Sequence, residues 1–342
     1  MSVSVPDNQF SHPLVSILVP AYNAGQWITA TLESARRQDW PNKEIIVVDD
    51  GSKDDTFQVA RKFESANVTV VTQPNSGAAA ARNKAFSLSR GDYIQWLDAD
   101  DLLAPGKISS QVRVAANLRD GRRLLSAAWG SFYFRPSKAK FLSSPLWQDT
   151  SPAEWLRFKL GRGAFMQTAT WLVSRELSTA AGPWNTSLLG DDDGEYFCRV
   201  LLASNGVTFV PDSKVLYREI AGARLSAVGF SARKLEAHFR SMKLHIAYLR
   251  STGDDAVNRQ ACLDYLQRYL FYFYQESPDI VRQMDALAAE LGGKLQPPGL
   301  RSKYAWLAGI FGWRTAKRAQ FFFPKIRTYL ERNWDHLTAG LG

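Results

Sequence analysis

The first hundred residues carry four short apolar runs. Each is followed by a polar loop, and three of the loops lead into a helical pattern. Leu14–Pro20 is rich in β-branched residues and stopped by a proline, as expected of a strand buried on both faces. Asn23–Gly25 make a turn, after which Trp27, Leu32 and Ala35 recur at helical spacing. Glu44–Val48 predicts a second buried strand, with Asp49-Asp50-Gly51-Ser52 as the loop at its carboxyl end. Asp54 or Asp55 can cap a helix that runs to Phe63. Val68–Thr72 predicts a third strand, and the Ala-rich Gly77–Leu88 a helix. Tyr93–Leu97 predicts a fourth strand, ending in Asp98-Ala99-Asp100-Asp101. This order predicts an α/β fold, an open and mostly parallel sheet with helices on both faces.

Residues 120–230 are less regular. Leu124–Trp129, Thr168–Val173 and Val207–Val210, the last stopped by Pro211, read as strands. Glu195–Ala203 reads as a helix behind the acidic run Asp191-Asp192-Asp193. From Ser231 the pattern turns helical. Leu235, Phe239, Met242, Ile246 and Leu249 form one stripe, and Cys262, Leu266, Tyr269 and Phe273 another. The chain divides on this pattern into residues 1–230, a helical extension over 231–300, and a tail over 301–342.

Composition narrows the function. An apolar content of 45% excludes wholesale disorder. Two cysteines exclude a disulfide scaffold, and four histidines disfavour a His-built metal centre. No apolar run reaches the ~18 residues of a spanning helix. The opening MSVSVPDNQF has neither a basic nor an apolar signal region, so a cytoplasmic protein is expected. The net charge is +9, but it is unevenly placed. Residues 1–230 hold 25 basic and 23 acidic side chains, whereas residues 301–342 hold 8 and 2. The charge therefore does not describe a nucleic-acid surface. The tail interleaves Arg301, Lys303, Arg314, Lys317, Arg318, Lys325, Arg327 and Arg332 with Trp and Phe. That mixture suits an anionic membrane surface, making the protein peripheral on the inner face of the cytoplasmic membrane. It equally suits a helix that docks its aromatics and solvates its basic face.

Ligands of such sheets bind outside the carboxyl ends of the strands. Asp98 and Asp100 stand there with neither Cys nor His nearby, an oxygen donor set for Mg²⁺ or Mn²⁺. Two residues apart on an extended chain, they would point the same way. A solvated loop capping the next helix reads equally well. Asp50 can accept from a base or ribose, or close an Asx turn, and Gly51 permits the tight turn. Tyr22 can stack on a nucleobase, or be an ordinary loop tyrosine. Asp191-Asp192-Asp193 can supply a catalytic base at a helix N-terminus, or simply cap it. Neither GxGxxG after the first strand nor GxxxxGK[ST] occurs, which argues against a dinucleotide-binding domain and a P-loop NTPase.

PAYN at 20–23, VVDDGSKDDT at 47–56, NSGAAAARN at 75–83, LDADD at 97–101 and DDGEYFCR at 192–199 occur in that order. Over roughly residues 14–226 the chain resembles the family 2 glycosyltransferases of the GT-A fold. The resemblance implies a GT-A type, Rossmann-like catalytic domain that binds a nucleotide-diphospho-sugar, most often UDP-linked. It assigns Pro20, Tyr22, Asn23, Asp50, Arg82 and Asp98 to nucleotide-sugar binding, with Asn75 and Gly77 shaping a loop. It assigns Asp100, with Asp98, to the metal. Asp193 matches the second acid of the family's Glu-Asp pair, the general base, with Asp192 as the first. Asp192 departs from the usual Glu, and three consecutive Asp leave the register open by one. Glu195 and Arg199 read as structural or acceptor-side. Ile220 stands where relatives often carry a His, with Arg224 or Ser226 as substitute phosphate contacts.

The resulting expectation is an inverting, metal-dependent glycosyltransferase acting on a hydroxyl of a glycan or lipid-linked acceptor, in cell-envelope polysaccharide synthesis. The alternatives are a catalytically silent binding subunit of a glycan-assembly complex and a nucleotidyltransferase. The intact Asp98, Asp100 and Asp193 argue against the first. PAYNAG lacks the basic Gly-rich loop expected of the second.

Overall fold

The structure, a computed structural model, describes residues 12–220, 231–321 and 323. The first half runs β1 (Val15–Ala21), α1 (Ile28–Arg36), β2 (Lys43–Asp49), α2 (Thr56–Arg61), β3 (Val68–Thr72), α3 (Ala78–Leu88), β4 (Tyr93–Trp96), β5 (Leu102–Leu103) and α4 (Lys107–Leu118). It continues with β6 (Leu124–Phe132), β7 (Lys140–Phe141), α5 (Pro152–Arg162), β8 (Val173–Ser174), α6 (Arg175–Ala181), α7 (Asp192–Ala203) and β9 (Val207–Arg218). Four helices follow: α8 (Ala232–Ser251), α9 (Ala256–Phe273), α10 (Pro278–Glu290) and α11 (Ser302–Phe311).

The main sheet has the order β3-β2-β1-β4-β8, with the first four strands parallel and β8 antiparallel. A second sheet, β5-β9-β6-β7, stands beside it. Side-chain alternation explains why the main strands are apolar throughout. Leu18, Ile46, Val48, Ile94 and Trp96 enter one core, while Ile17, Val19, Ile45 and Val47 enter the other, under α1 and α4. The predicted α/β sheet with helices on both faces is therefore the observed one. The stripe Leu235, Phe239, Met242, Ile246 and Leu249 is buried in the same core as Trp96 and α7. The helical extension thus packs directly behind the candidate site.

Two expected strands differ. Thr168–Thr170 forms a 3₁₀ turn, because the Gln167 side chain accepts from Ala169 N at 2.6 Å and diverts the chain. Leu172 makes an isolated bridge to Leu125, and Val173–Ser174 pairs on β4. Pro211 does not end the strand at Val210. The register jumps from Ala127↔Val210 to Ala128↔Lys214, so the proline falls in a bulge where its missing N–H costs no ladder bond.

In the tail, residues 313–321 are helical and return to α9. Trp313 packs on Phe271 and Tyr274, and the buried Lys317 donates to Tyr272 O at 2.9 Å. Burial lowers the Lys317 ammonium to about 8. Trp306, Ile310 and Phe311 of α11 remain exposed. No helix among the described residues is long and apolar enough to cross a membrane. The tail residues Lys325, Arg327, Arg332 and Trp334 lie outside the described residues, as do Arg224 and Ser226.

Candidate active site

The parallel strands bring Pro20–Asn23, Asp49–Gly51 and Asp98–Asp101 to one edge of the sheet. Tyr22 is exposed there, and Asn23 turns in a left-handed conformation at φ 50°. Asn23 Oδ1 accepts from Lys53 N at 2.8 Å, tying this loop to the one after β2. Asp50 is nearly fully buried. Its carboxylate accepts from Gln73 Nε2 at 2.8 Å, Ser76 N at 2.9 Å and Gly77 N at 2.8 Å, so it orders the loop that opens α3. Gly51 has φ 71°, and a Cβ there would stand 2.9 Å from Asn75 N, so the turn requires glycine.

Asp98–Asp101 form a turn, closed by Asp101 N donating to Asp98 O at 3.1 Å. Extended-chain alternation therefore does not describe how Asp98 and Asp100 are arranged. The chain leaves β4 too early for it. Two groups missed by sequence reasoning hold this turn. Asp101 is fully buried and accepts from Arg218 N at 2.8 Å and from Gln167 Nε2; burial pushes its carboxyl well up. Arg218 donates from Nε to Asp100 O at 2.8 Å, with its guanidinium 4.4 Å from the Trp27 ring and 4.5 Å from Phe132. The third Asp of LDADD and the Arg of YREI were visible in sequence, but nothing local paired them.

Arg82 sits where the second acidic motif meets the first. Buried on α3, it donates from Nη2 to Asp98 Oδ1 and from Nη1 to Asp192 Oδ2, both at 2.8 Å. Its guanidinium lies 4.4 Å from the Trp184 ring, which stacks on Tyr196 of α7 at 4.1 Å. Burial works against its charge, but Asp192 and Asp98 outweigh that and raise its pKa. Among the described residues its hydrogen-bond acceptors are thus the two acids of the site.

Asp191 is the N-cap residue of α7, at φ 56°, and Asp192 and Asp193 begin the helix. Asp193 Oδ2 accepts from Thr168 Oγ1 at 3.4 Å. Burial, then the neighbouring Asp191, raises the Asp193 carboxyl above the usual carboxylate range, while Arg82 and Lys159 oppose this. Glu195 is held by Arg199 Nε at 2.8 Å and by Tyr248 Oη of α8 at 2.6 Å, and Arg199 also donates to Pro183 O at 2.9 Å. Both side chains are thus engaged in contacts within the protein.

Among the described residues no group of three or more metal-ligating side chains is gathered. The Asp98–Asp100 turn offers two carboxylates. That is the number Mg²⁺ takes from a protein when substrate phosphates and water complete its shell, so the donor set fits.

Residues 16–159 match the family described as Glycosyl transferase family 2. The chain is 29% identical over 255 residues to the Escherichia coli UDP-Glc:alpha-D-GlcNAc-diphosphoundecaprenol beta-1,3-glucosyltransferase WfaP, covering 74% of this chain and 92% of that one. It is also 29% identical over 220 residues to glycosyltransferase GlyG of Streptococcus pneumoniae serotype 4, covering 61% and 72%. The crystal structure of S. aureus TarS 1-349 in complex with UDP-GlcNAc shares the fold, with a TM-score of 0.63 at 18% identity over 89% of this chain and 90% of that one. The motifs and the sheet agree with the family match: residues 16–159 are similar to the glycosyltransferases of family 2.

Proposed function

We propose that the protein moves a sugar, with inversion, from a UDP-sugar to a hydroxyl of a glycan or lipid-linked acceptor in cell-envelope polysaccharide synthesis. The observation that carries this reading is the Arg82 bridge. It joins Asp98 at the strand ends to Asp192, and so sets Asp193 beside the proposed nucleotide-sugar edge. The UDP-GlcNAc bound to the structural neighbour and the UDP-Glc named for the E. coli relative support the donor class. The diphosphoundecaprenol acceptor in that relative's name supports the acceptor class.

In this reading Tyr22 stacks on the base, and Pro20, Asn23 and Asp50 shape the pocket around it. Asp98 and Asp100 would hold Mg²⁺ or Mn²⁺, which supplies neutralisation of the leaving diphosphate. The Asp193 carboxylate takes the acceptor hydroxyl proton as that oxygen bonds to the anomeric carbon. The bond from that carbon to the diphosphate oxygen breaks, and UDP leaves with the electron pair. A base raised toward neutrality suits this proton transfer. Asp192 positions Arg82 rather than taking the proton. The exposed apolar side of α11 and the basic tail serve as a peripheral contact with the inner face of the cytoplasmic membrane.

The test is UDP release from a UDP-sugar panel with Mn²⁺ by the wild type, Asp193→Ala and Asp100→Ala. Both variants are expected to lose release by at least ~10²-fold while retaining wild-type circular dichroism. Near-wild-type release by folded Asp193→Ala would overturn its assignment as the base.

A further inference from the structure

A cavity of about 220 Å³ lies behind the N-terminus of α7, between α5, the 163–166 segment and the first two helices of the extension. Its volume equals about seven waters at ~30 Å³ each, the scale of one hexose rather than an oligosaccharide. Asp193 lines it, so the cavity and the catalytic cluster share the proposed base.

The chemistry of the walls is specific. Trp171 packs against Trp155 at 5.7 Å and Phe197 at 5.4 Å on one side. Tyr269 packs against Tyr265 at 5.0 Å and His238 at 4.8 Å on the other. Phe165 is 47% exposed on the same lining. Charged side chains interrupt this aromatic lining: Asp191, Asp193, Lys159 and Lys234. Burial raises the Asp191 carboxyl against the opposing pull of Lys159, while Asp191 raises the Lys159 ammonium against burial.

Aromatic faces with scattered donors and acceptors match a pyranose, which has apolar C–H faces and a rim of hydroxyls. A lipid tail would set apolar chain against Asp191, Asp193 and Lys159. We propose that this cavity is the acceptor-sugar site, and that α8 and α9 of the helical extension form its outer wall. The assignment rests on the transferase reading with Asp193 as base. Acceptor choice then lies in His238, Tyr265 and Tyr269, outside the segment that matches the family.

The test is saturation-transfer NMR of the full chain with UDP, Mn²⁺ and a panel of methyl hexosides and N-acetylhexosaminides. At least one glycoside is expected to receive saturation from the wild type. Its binding is expected to weaken by tenfold or more in Ala237→Trp, which fills the cavity from α8, and in Phe165→Ala, which removes a ring from its lining. A thermal shift with UDP reports that each variant is folded. Absence of binding by every glycoside, or full binding by both folded variants, would overturn the proposal. UDP-sugar hydrolysis by the wild type is measured alongside. Hydrolysis without glycoside binding overturns the cavity assignment alone. Glycoside binding without hydrolysis of any donor overturns the transferase reading, and the acceptor role with it.

Discussion

Arg82 and Asp192, 110 positions apart in sequence, are joined by a 2.8 Å hydrogen bond from Nη1 to Oδ2, and the other arm of the same guanidinium holds Asp98. Lysine carries the charge but has no fork with which to span both carboxylates. Arg82→Lys is therefore expected to lower UDP-sugar turnover by about 10- to 100-fold, the loss of one charged hydrogen bond. Steady-state UDP release measures it. Turnover within twofold of wild type would show that the bridge does not set the site.

The Asp193 carboxyl is pushed up, chiefly by burial. As a base it must be ionised, so turnover is expected to rise with pH through a midpoint above the ordinary Asp value of ~3.9. The stability sign follows from the same shift. Above that ordinary value the unfolded chain loses this proton more readily than the native one. The native state is therefore increasingly penalised as pH climbs toward its raised value. Asp193→Asn removes the penalty. Its melting temperature should be no lower than wild type at neutral pH, with a gap that narrows on acidification. Differential scanning fluorimetry across pH checks this, and a gap that widens in acid would contradict it.

Tyr248 Oη donates to Glu195 Oε1 at 2.6 Å, the link by which α8 grips the first turn of α7. Tyr248→Phe keeps the ring and removes the bond. A charged hydrogen bond of this kind contributes about 1.5–3 kcal/mol, and urea unfolding should show a loss of that order. A change below ~0.5 kcal/mol would mean that Arg199 alone satisfies Glu195.

The proposed membrane contact would draw on one of two parts of the tail. The 313–321 helix spends Trp313 and Lys317 on α9, whereas Trp306, Ile310 and Phe311 of α11 face outward. Replacing those three with serine should abolish flotation with vesicles containing phosphatidylglycerol without lowering the melting temperature. Flotation equal to wild type would remove α11 from any lipid contact.

How much was legible in the chain follows from the range of each interaction. The four parallel strands, the α8 stripe and the acidic motifs at strand ends were readable, because alternation, helical period and strand–loop order are local properties. Thr168–Thr170 misled because β-branched residues suit a strand, until a neighbouring glutamine side chain captures the backbone. Pro211 misled because a bulge is a property of two strands, not one. The sequence by itself determined the parallel strands, the family resemblance and the residue types at the carboxyl edge. Only the tertiary structure decided that Arg82 joins Asp98 to Asp192, that Asp101 and Arg218 clamp the turn between them, and that the C-terminal helices wall a cavity reaching Asp193. The Arg82–Asp192 and Asp101–Arg218 pairings run across 110 and 117 residues, where local pattern carries no signal. Burial then sets their strength, by removing the water that would otherwise compete for each charge.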